Sequence, residues 1–462
     1  MSRHDCLSAA AAHFDDGRFL AVLQRRVAYA TESDLGEAPP ALTEYLEQEM
    51  RPCLEALGFE VQVFDNPVAG AGPFLVGRRI EAPGLPTVLT YGHGDVVSGQ
   101  AEQWSPGLSP WRVTVRDDAW YGRGTADNKG QHTVNLAGLE AAIATRGGRL
   151  GYNVVVLLES GEEAGSPGLH AFCEAQRELL RADLFIGCDG PRVQADRPTL
   201  FLGSRGMVNF SLSLKARQRA YHSGNWGGVI SNPATIIANA VASLVDEKGV
   251  MRVDGLKPTS FTPEVRDALA DIPVGGGKSD PALTEGWGEP GLSPAERLAG
   301  WNTLEVLALG AGAPERPVNA IPPSAVAHCQ LRFVVGTDWR NLASLMRRHL
   351  DARGYPEVEV TLGMQGAATR LDVDHPWVDW ARGSLQRTQG AAPAVLPNLA
   401  GSLPNEVFAD ILGLPTLWVP HSYPACGQHG PDEHLRPSVA REGLQIMAGL
   451  YWDLGEVAAP WH

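Results

Sequence analysis

Three short apolar runs, each ending abruptly in small or charged residues, constrain this chain more than any other feature. They are "PTVLTYGHGD" at 86–95, "NVVVLLESGEE" at 153–163 and "ADLFIGCDG" at 182–190. Their apolar residues follow one another rather than alternating with polar ones, as expected of strands buried on both faces of a sheet. Helical candidates lie between them: 129–145 after "TADNKG", and 166–180, where Pro167 suits a first helical turn. Strand and helix alternate, which predicts an α/β fold with a mostly parallel sheet flanked by helices. Ligands of such sheets gather beyond the carboxyl ends of the strands, which is where the polar clusters fall.

After about residue 205 the pattern changes. "MVNFSLSLKAR" alternates like a half-exposed strand, and "NPATIIANAVASLVDEKG" reads as a helix. "LEVLAL", "SAVAHCQLRFVV", the helix "DWRNLASLMRRHLDARG" and "EVEVTLGMQG" complete a strand and helix set. Residues 206–368 are therefore expected to form an inserted α+β domain, with 1–205 and 369–462 making up the main domain. Within the insert, 249–300 is rich in Gly, Pro and acidic residues and reads as an exposed excursion or lid edge. The last stretch returns to the first texture with "ADILGLPTLWVPHS", another buried strand.

A chain of 462 residues exceeds what one hydrophobic core usually organises, which agrees with two domains. Lys plus Arg number 38 against 53 Asp plus Glu, a net charge of −15, which argues against nucleic acid and anionic membranes as partners. The amino-terminal "MSRHDCLSAAAAHFDDGRF" lacks the apolar centre of a signal peptide, and no later stretch is apolar enough to span a bilayer, so a cytoplasmic location is expected. Cys6, Cys53, Cys173, Cys188, Cys329 and Cys426 are scattered with no CxxC, which suggests reduced thiols rather than disulfides or a cysteine zinc site.

Five polar clusters carry candidate chemistry. His93 and Asp95 in "YGHGD" are two apart at a strand end and point the same way, so one can bind a metal while the other orients it. Asp127 in "GRGTADNKGQ" lies just ahead of a helix and, alone, reads as its cap. Glu162 and Glu163 in "LLESGEEAGSPGL", alone, read as a solvated pair at a helix start. Asp189 sits in "GCDG", and "PHSYPACGQHGPDEHL" crowds His421, His429 and His434 into a Gly and Pro loop. Together they supply the imidazoles and carboxylates of a two-metal hydrolytic site for Zn²⁺, Mn²⁺ or Co²⁺. There is no GxSxG or HExxH. "GGGKS" at 275–279 lacks the earlier glycine of a phosphate loop and reads as a flexible turn.

In these segments the chain resembles the dinuclear metallopeptidases that include carnosinase-type cytosolic dipeptidases, aminoacylase, succinyl-diaminopimelate desuccinylase and glutamate carboxypeptidase. It is most similar to the carnosinase-like dipeptidases, through "GHGDVV", "YGRGTADNKG", "ESGEEAGSPGL", "GSRGMVNFSLSL", "YHSGNWGG" and "GQHGPDEHL" in order along nearly the whole length. The resemblance implies that Asp127 bridges two metals, with His93 and Asp189 on one ion and Glu163 and His429 on the other. It makes Glu162 the general base and Asp95 the carboxylate that orients His93, and it implies a cis peptide after Asp127. It also implies a homodimer through the inserted domain, with His222 of "YHSGNWGG" crossing to the partner's active site to steady an oxyanion.

Asn319, Arg332, His375 and Ser402, in "RPVNAIP", "QLRFVV", "DVDHPW" and "AGSLPN", match substrate-contact positions of the family, and an arginine at 332 suits a bidentate carboxylate. Asp at position 189, rather than Glu, resembles the dipeptidase and aminopeptidase side. The expected function is metal-dependent hydrolysis of dipeptides or small peptides with a free carboxylate, using two divalent ions per subunit, zinc first with manganese or cobalt as alternatives. Cleavage of N-acyl or N-carbamoyl amino acids is the competing reading. A non-catalytic metal-binding homologue is the third, and the presence of Glu162 beside all five ligands speaks against it. Glu159, in the same stretch, has no assigned role.

Overall fold

The computed structural model describes residues 1–33, 36, 38–277, 280–456 and 459–461. The chain groups into two compact units, Met1–Gly203 with Arg370–Leu396 and Leu403–His462, and Ser204–Thr369 with Pro397–Ser402. The short segment 397–402, placed with the main domain in the sequence reading, thus packs with the second unit.

The first unit is built on an eight-stranded sheet in the order Glu60–Phe64, Phe74–Arg79, Asn153–Glu159, Thr87–His93, Leu184–Gly187, Thr416–Trp418, Thr199–Phe201, Ala394–Leu396. Thr87–His93 runs parallel to both of its neighbours, and Thr416–Trp418 runs parallel to Leu184–Gly187. Antiparallel pairs join Phe74–Arg79 to Glu60–Phe64 and to Asn153–Glu159. Every residue of Asn153–Glu159 is buried, the physical reason its central run from Val154 to Leu158 is unbroken by polar residues. His93 pairs in register with Glu159, so the two central strands end at the same level and release their loops side by side. Helices Lys129–Thr145, Pro437–Leu454 and Arg3–Asp15 pack together beside the sheet, and Val134, Leu444, Met447 and Ala10 join its core.

The helix expected over 166–180 is shorter, Leu169–Ala175. Ser166 and Gly168 have φ of 53° and 82°, left-handed values that no α-helix accommodates, so Pro167 lies in the turn ahead of the helix instead of opening it.

In the second unit an antiparallel sheet is ordered Thr303–Ala311, Ser324–Phe333, Gly206–Lys215, Glu359–Gly366. Burial alternates along Gly206–Lys215, as its sequence does. Val208, Phe210 and Leu212 form the covered face with Leu331 and Ala327, packed against Ile237, Leu244, Met346 and Leu350 of helices Pro233–Leu244 and Leu342–Ala352. Gly206 is required by close approach: a Cβ there would lie 2.3 Å from the Phe333 ring and 2.6 Å from the Ala368 nitrogen. The 249–300 stretch holds short helical pieces, Pro263–Leu269 and Glu296–Gly300, with a small core of Val265, Leu269, Ala295 and Ala299. Lys278 and Ser279 of the "GGGKS" turn lie outside the described residues. All six cysteines are free thiols, and all but Cys53 are buried. No helix among the described residues is long and apolar enough to cross a membrane.

Candidate metal centre

His93 closes its strand fully buried. Its Nδ1 lies 3.1 Å from the Asp95 carbonyl oxygen and 3.4 Å from Asp95 Oδ1. Its Nε2 lies 3.2 Å from Asp127 Oδ1, 3.5 Å from Asp189 Oδ2 and 4.0 Å from Glu162 Oε2. The Asp95 carboxylate accepts a 2.7 Å hydrogen bond from the Ser33 hydroxyl, and the backbone N–H groups of Glu162 and Glu163 donate to it at 3.2 and 3.1 Å. Asp95 therefore fixes both the imidazole and the turn that carries the two glutamates.

Asp127 does not cap the helix that follows it. The cap position belongs to Asn128, whose side chain makes no capping bond. The Asp127 carboxylate points away: Oδ1 meets His93 and Oδ2 meets His429 Nε2 at 3.0 Å and the Gln428 amide. The Asp127–Asn128 peptide is cis. A Cβ at Gly130 would lie 1.8 Å from the Thr125 carbonyl oxygen, so only glycine lets the helix start fold back on this loop.

Two sets of donors result. His93, Asp127 and Asp189 form one and Asp127, Glu163 and His429 the other; within each set the ligand atoms lie within 4.8 Å of one another. Glu163 Oε2 is 3.1 Å from His429 Nε2, while its Oε1 is buried with no hydrogen-bond partner. Burial, then the Asp127 charge, pushes Asp189 up to about 6 and Glu163 up to about 7. Burial also raises Glu162 well above the usual carboxylate range. Burial opposes the Asp127 charge too, yet the His429 and His93 imidazoles outweigh it and lower that carboxyl. Asp127 and then Glu163 lift His429 to about 10. Crowded buried carboxylates with a partnerless oxygen, interleaved with imidazoles, suit divalent cations.

Two residues that the sequence left without a role support this centre. Buried Glu433 accepts from the backbone N–H groups of Gly124, Ala126 and Asp127 at 3.1, 2.9 and 3.0 Å and from Arg123 at 2.8 Å, bracing the Asp127 loop. Gln131 donates to Asp189 Oδ1 at 3.4 Å and accepts from the His421 backbone N–H at 2.7 Å. Both lie inside motifs recognisable from sequence, but the backbone groups they serve are far away along the chain. Glu159 is also buried, its Oε1 accepting from the Tyr91 hydroxyl at 2.5 Å and from Ser166 at 3.1 Å.

Of the three clustered histidines, only His429 reaches the carboxylates. His421 is buried with both ring nitrogens unpartnered, and His434 Nδ1 lies 2.9 Å from the Asp432 carbonyl oxygen. His375, in the first unit, caps helix Pro376–Gln389 by accepting from the Trp377 N–H at 3.2 Å. The remaining candidates lie in the second unit. His222 is exposed and accepts at Nδ1 from the Gly224 N–H at 3.1 Å. Next to it, the exposed Asn319 accepts a 2.9 Å bond from the Ser223 N–H through its carbonyl oxygen. Arg332 donates to the Ser402 hydroxyl at 2.8 Å.

The fold and donor set are those of a metal-dependent peptidase. The chain belongs to the peptidase family M20/M25/M40, whose profile matches residues 89–453. A cysteinylglycine-S-conjugate dipeptidase of Corynebacterium striatum is 28% identical over 410 residues, covering 83% of this chain and 84% of that protein. A β-Ala-His dipeptidase of Rattus norvegicus is 24% identical over 469 residues, covering 93% and 91%. The fold is also similar to an M20 family metallo-carboxypeptidase of Sulfolobus solfataricus, with a TM-score of 0.78 at 23% identity over 95% of this chain and 99% of that one.

Proposed function

We propose that this chain hydrolyses the peptide bond of dipeptides and similarly small peptides carrying a free carboxylate, by a two-metal mechanism. The observation that carries this reading is the position of Asp127, whose two oxygens face different imidazoles, His93 and His429. His93 and Asp189 would hold one divalent ion, Glu163 and His429 the other, and Asp127 both. When bound, such ions, zinc first with manganese or cobalt as alternatives, acidify water and polarise a carbonyl.

The chain's own groups do the rest. Glu162 belongs to neither donor set yet has an oxygen 4.0 Å from His93 Nε2, which leaves its carboxylate available as a base. It takes a proton from the attacking water and passes it to the leaving amine. Asp95 keeps the imidazole of His93 and the Glu162 backbone in place for that transfer.

A homodimer through the second unit belongs to the same proposal, with His222 steadying the oxyanion in the partner's site. Thr303–Ala311 is an edge strand, and its Leu307 and Leu309 are 59% and 56% exposed, a pairing surface that suits a second copy.

The test is a hydrolysis screen with metal-stripped protein reloaded with Zn²⁺, Mn²⁺ or Co²⁺. Turnover of dipeptides above N-acyl and N-carbamoyl amino acids is expected. The reverse preference replaces the dipeptidase reading with a deacylase, and no turnover of either class removes both.

A further inference from the structure

The stretch "LLESGEEAGSPGL" carries three glutamates, and Glu159 is the one that neither the donor sets nor the proposed base accounts for. It ends strand Asn153–Glu159 and is 1% exposed. A carboxyl buried to that degree is costly unless its oxygens are used. Its Oε1 receives two hydroxyls, from Tyr91 at 2.5 Å and from Ser166 at 3.1 Å, and these come from different parts of the first unit. Burial, then the Asp95 charge, pushes the carboxyl up to about 7, so a neutral amide is a fair substitute for it.

Tyr91 is the fixed end of this link. It belongs to the neighbouring strand Thr87–His93, is 1% exposed, and its ring meets Phe408 and Trp418 edge-on at centroid distances of 5.2 and 5.7 Å. Ser166 is the held end, because it closes the turn that carries Glu162 and Glu163. Its N–H donates to the Gly161 carbonyl oxygen at 2.8 Å, and the Gly165 N–H donates to that of Glu162 at 2.8 Å. Gly165 and Ser166 have φ of 85° and 53°, two left-handed residues in succession, the second with a side chain. A serine stays in that conformation only where its surroundings hold it, and the Glu159 carboxylate does so through the hydroxyl. Just beyond, Asn66 Nδ2 donates to the Pro167 carbonyl oxygen at 2.9 Å and fixes the exit of the turn. At the entrance, the Glu162 and Glu163 N–H groups are already tied to Asp95.

We infer that Glu159 is a positioning residue for the turn: through Ser166 it holds the end that Asp95 does not reach, and so keeps Glu163 in the second donor set and Glu162 clear of both. The inference rests on the proposed roles of Glu163 as a metal ligand and Glu162 as the base. Glu159 touches neither substrate nor metal, and its effect should fall on the ion that Glu163 binds, leaving the ion of His93 and Asp189 as it was.

The experiment measures zinc affinity by equilibrium dialysis, and kcat and KM on alanylglycine, for the wild type, Glu159→Leu, Glu159→Gln and Ser166→Ala. In Glu159→Leu one of the two ions should bind about 10 to 100-fold more weakly and the other within about threefold of wild type. Its kcat should fall by about 10 to 100-fold with KM nearly unchanged. Ser166→Ala, which leaves the Tyr91 bond in place, should show the same pattern at about 3 to 10-fold. Glu159→Gln keeps an acceptor oxygen for both hydroxyls and should stay within about threefold on every measure. Unchanged affinity for both ions, or an equal loss on both, would reduce Glu159 to a general structural role and overturn the inference. So would a Glu159→Gln protein as impaired as Glu159→Leu, which would trace the effect to the charge. If Glu159→Leu does not fold, Ser166→Ala decides by the same split between ions. If the wild type cleaves no dipeptide, the dipeptidase reading falls and the split in affinity still decides the positioning role; a wild type that binds no second ion overturns both.

Discussion

Asp95 Oδ2 lies 3.1 Å from the backbone nitrogen of Glu163, on the same carboxylate whose Oδ1 lies 3.4 Å from His93 Nδ1. One side chain thus sets both a strand-end imidazole and the loop carrying the proposed base. Asp95→Asn keeps the volume but turns one acceptor into a donor facing an N–H or an imidazole. Metal affinity and kcat/KM should both fall by about 10 to 100-fold, the usual cost of losing a ligand's orienting partner. Equilibrium dialysis against zinc and initial rates check it, and unchanged affinity for metal would remove the orienting role.

Glu162→Gln should separate binding from chemistry. The proposed ligands are untouched, so elemental analysis should still find two metals per chain, while kcat falls by about 10² to 10⁴-fold, the range of a lost general base. Full turnover in the variant would rule out Glu162 as the base.

The parallel core was legible because strands buried on both faces leave unbroken apolar runs, as in Asn153–Glu159. The donor clusters were legible because each follows such a run or opens a helix. Less visible was anything that depends on the path of the chain between elements. Pro167 resembles a helix opener, but the left-handed backbone at Ser166 and Gly168 delays the helix to Leu169. Glu433 stands in a quoted motif, yet its partners Gly124, Ala126 and Asp127 are about 300 residues away, a contact that no local pattern encodes. Asn398 and Ser402 group with the second unit for the same reason: bonds such as Ser402 to Arg205 arise only once the chain has folded.

Glu433→Gln tests that bracing. The change leaves the Arg123 guanidinium, 1% exposed, without its carboxylate, and weakens the acceptor for three backbone N–H groups. Breaking a buried pair in this way costs about 3–5 kcal/mol, so thermal unfolding should begin several degrees lower. Because Asp127 sits on the braced loop, zinc should recover part of the lost stability by mass action on the folded state. A Tm equal to the wild type's would show that the loop does not depend on Glu433.

Complementation tests the proposed sharing of sites between subunits. A His222→Ala chain keeps Glu162, and a Glu162→Ala chain keeps His222, so a heterodimer assembles one complete site if His222 crosses to the partner. Random reassociation of equal amounts gives about half heterodimers with one of two sites active, hence about one quarter of wild-type turnover. Each variant alone should remain dimeric by light scattering and nearly inactive. Mixed protein that forms heterodimers, shown by native mass spectrometry, but regains no activity would confine His222 to a role within its own chain.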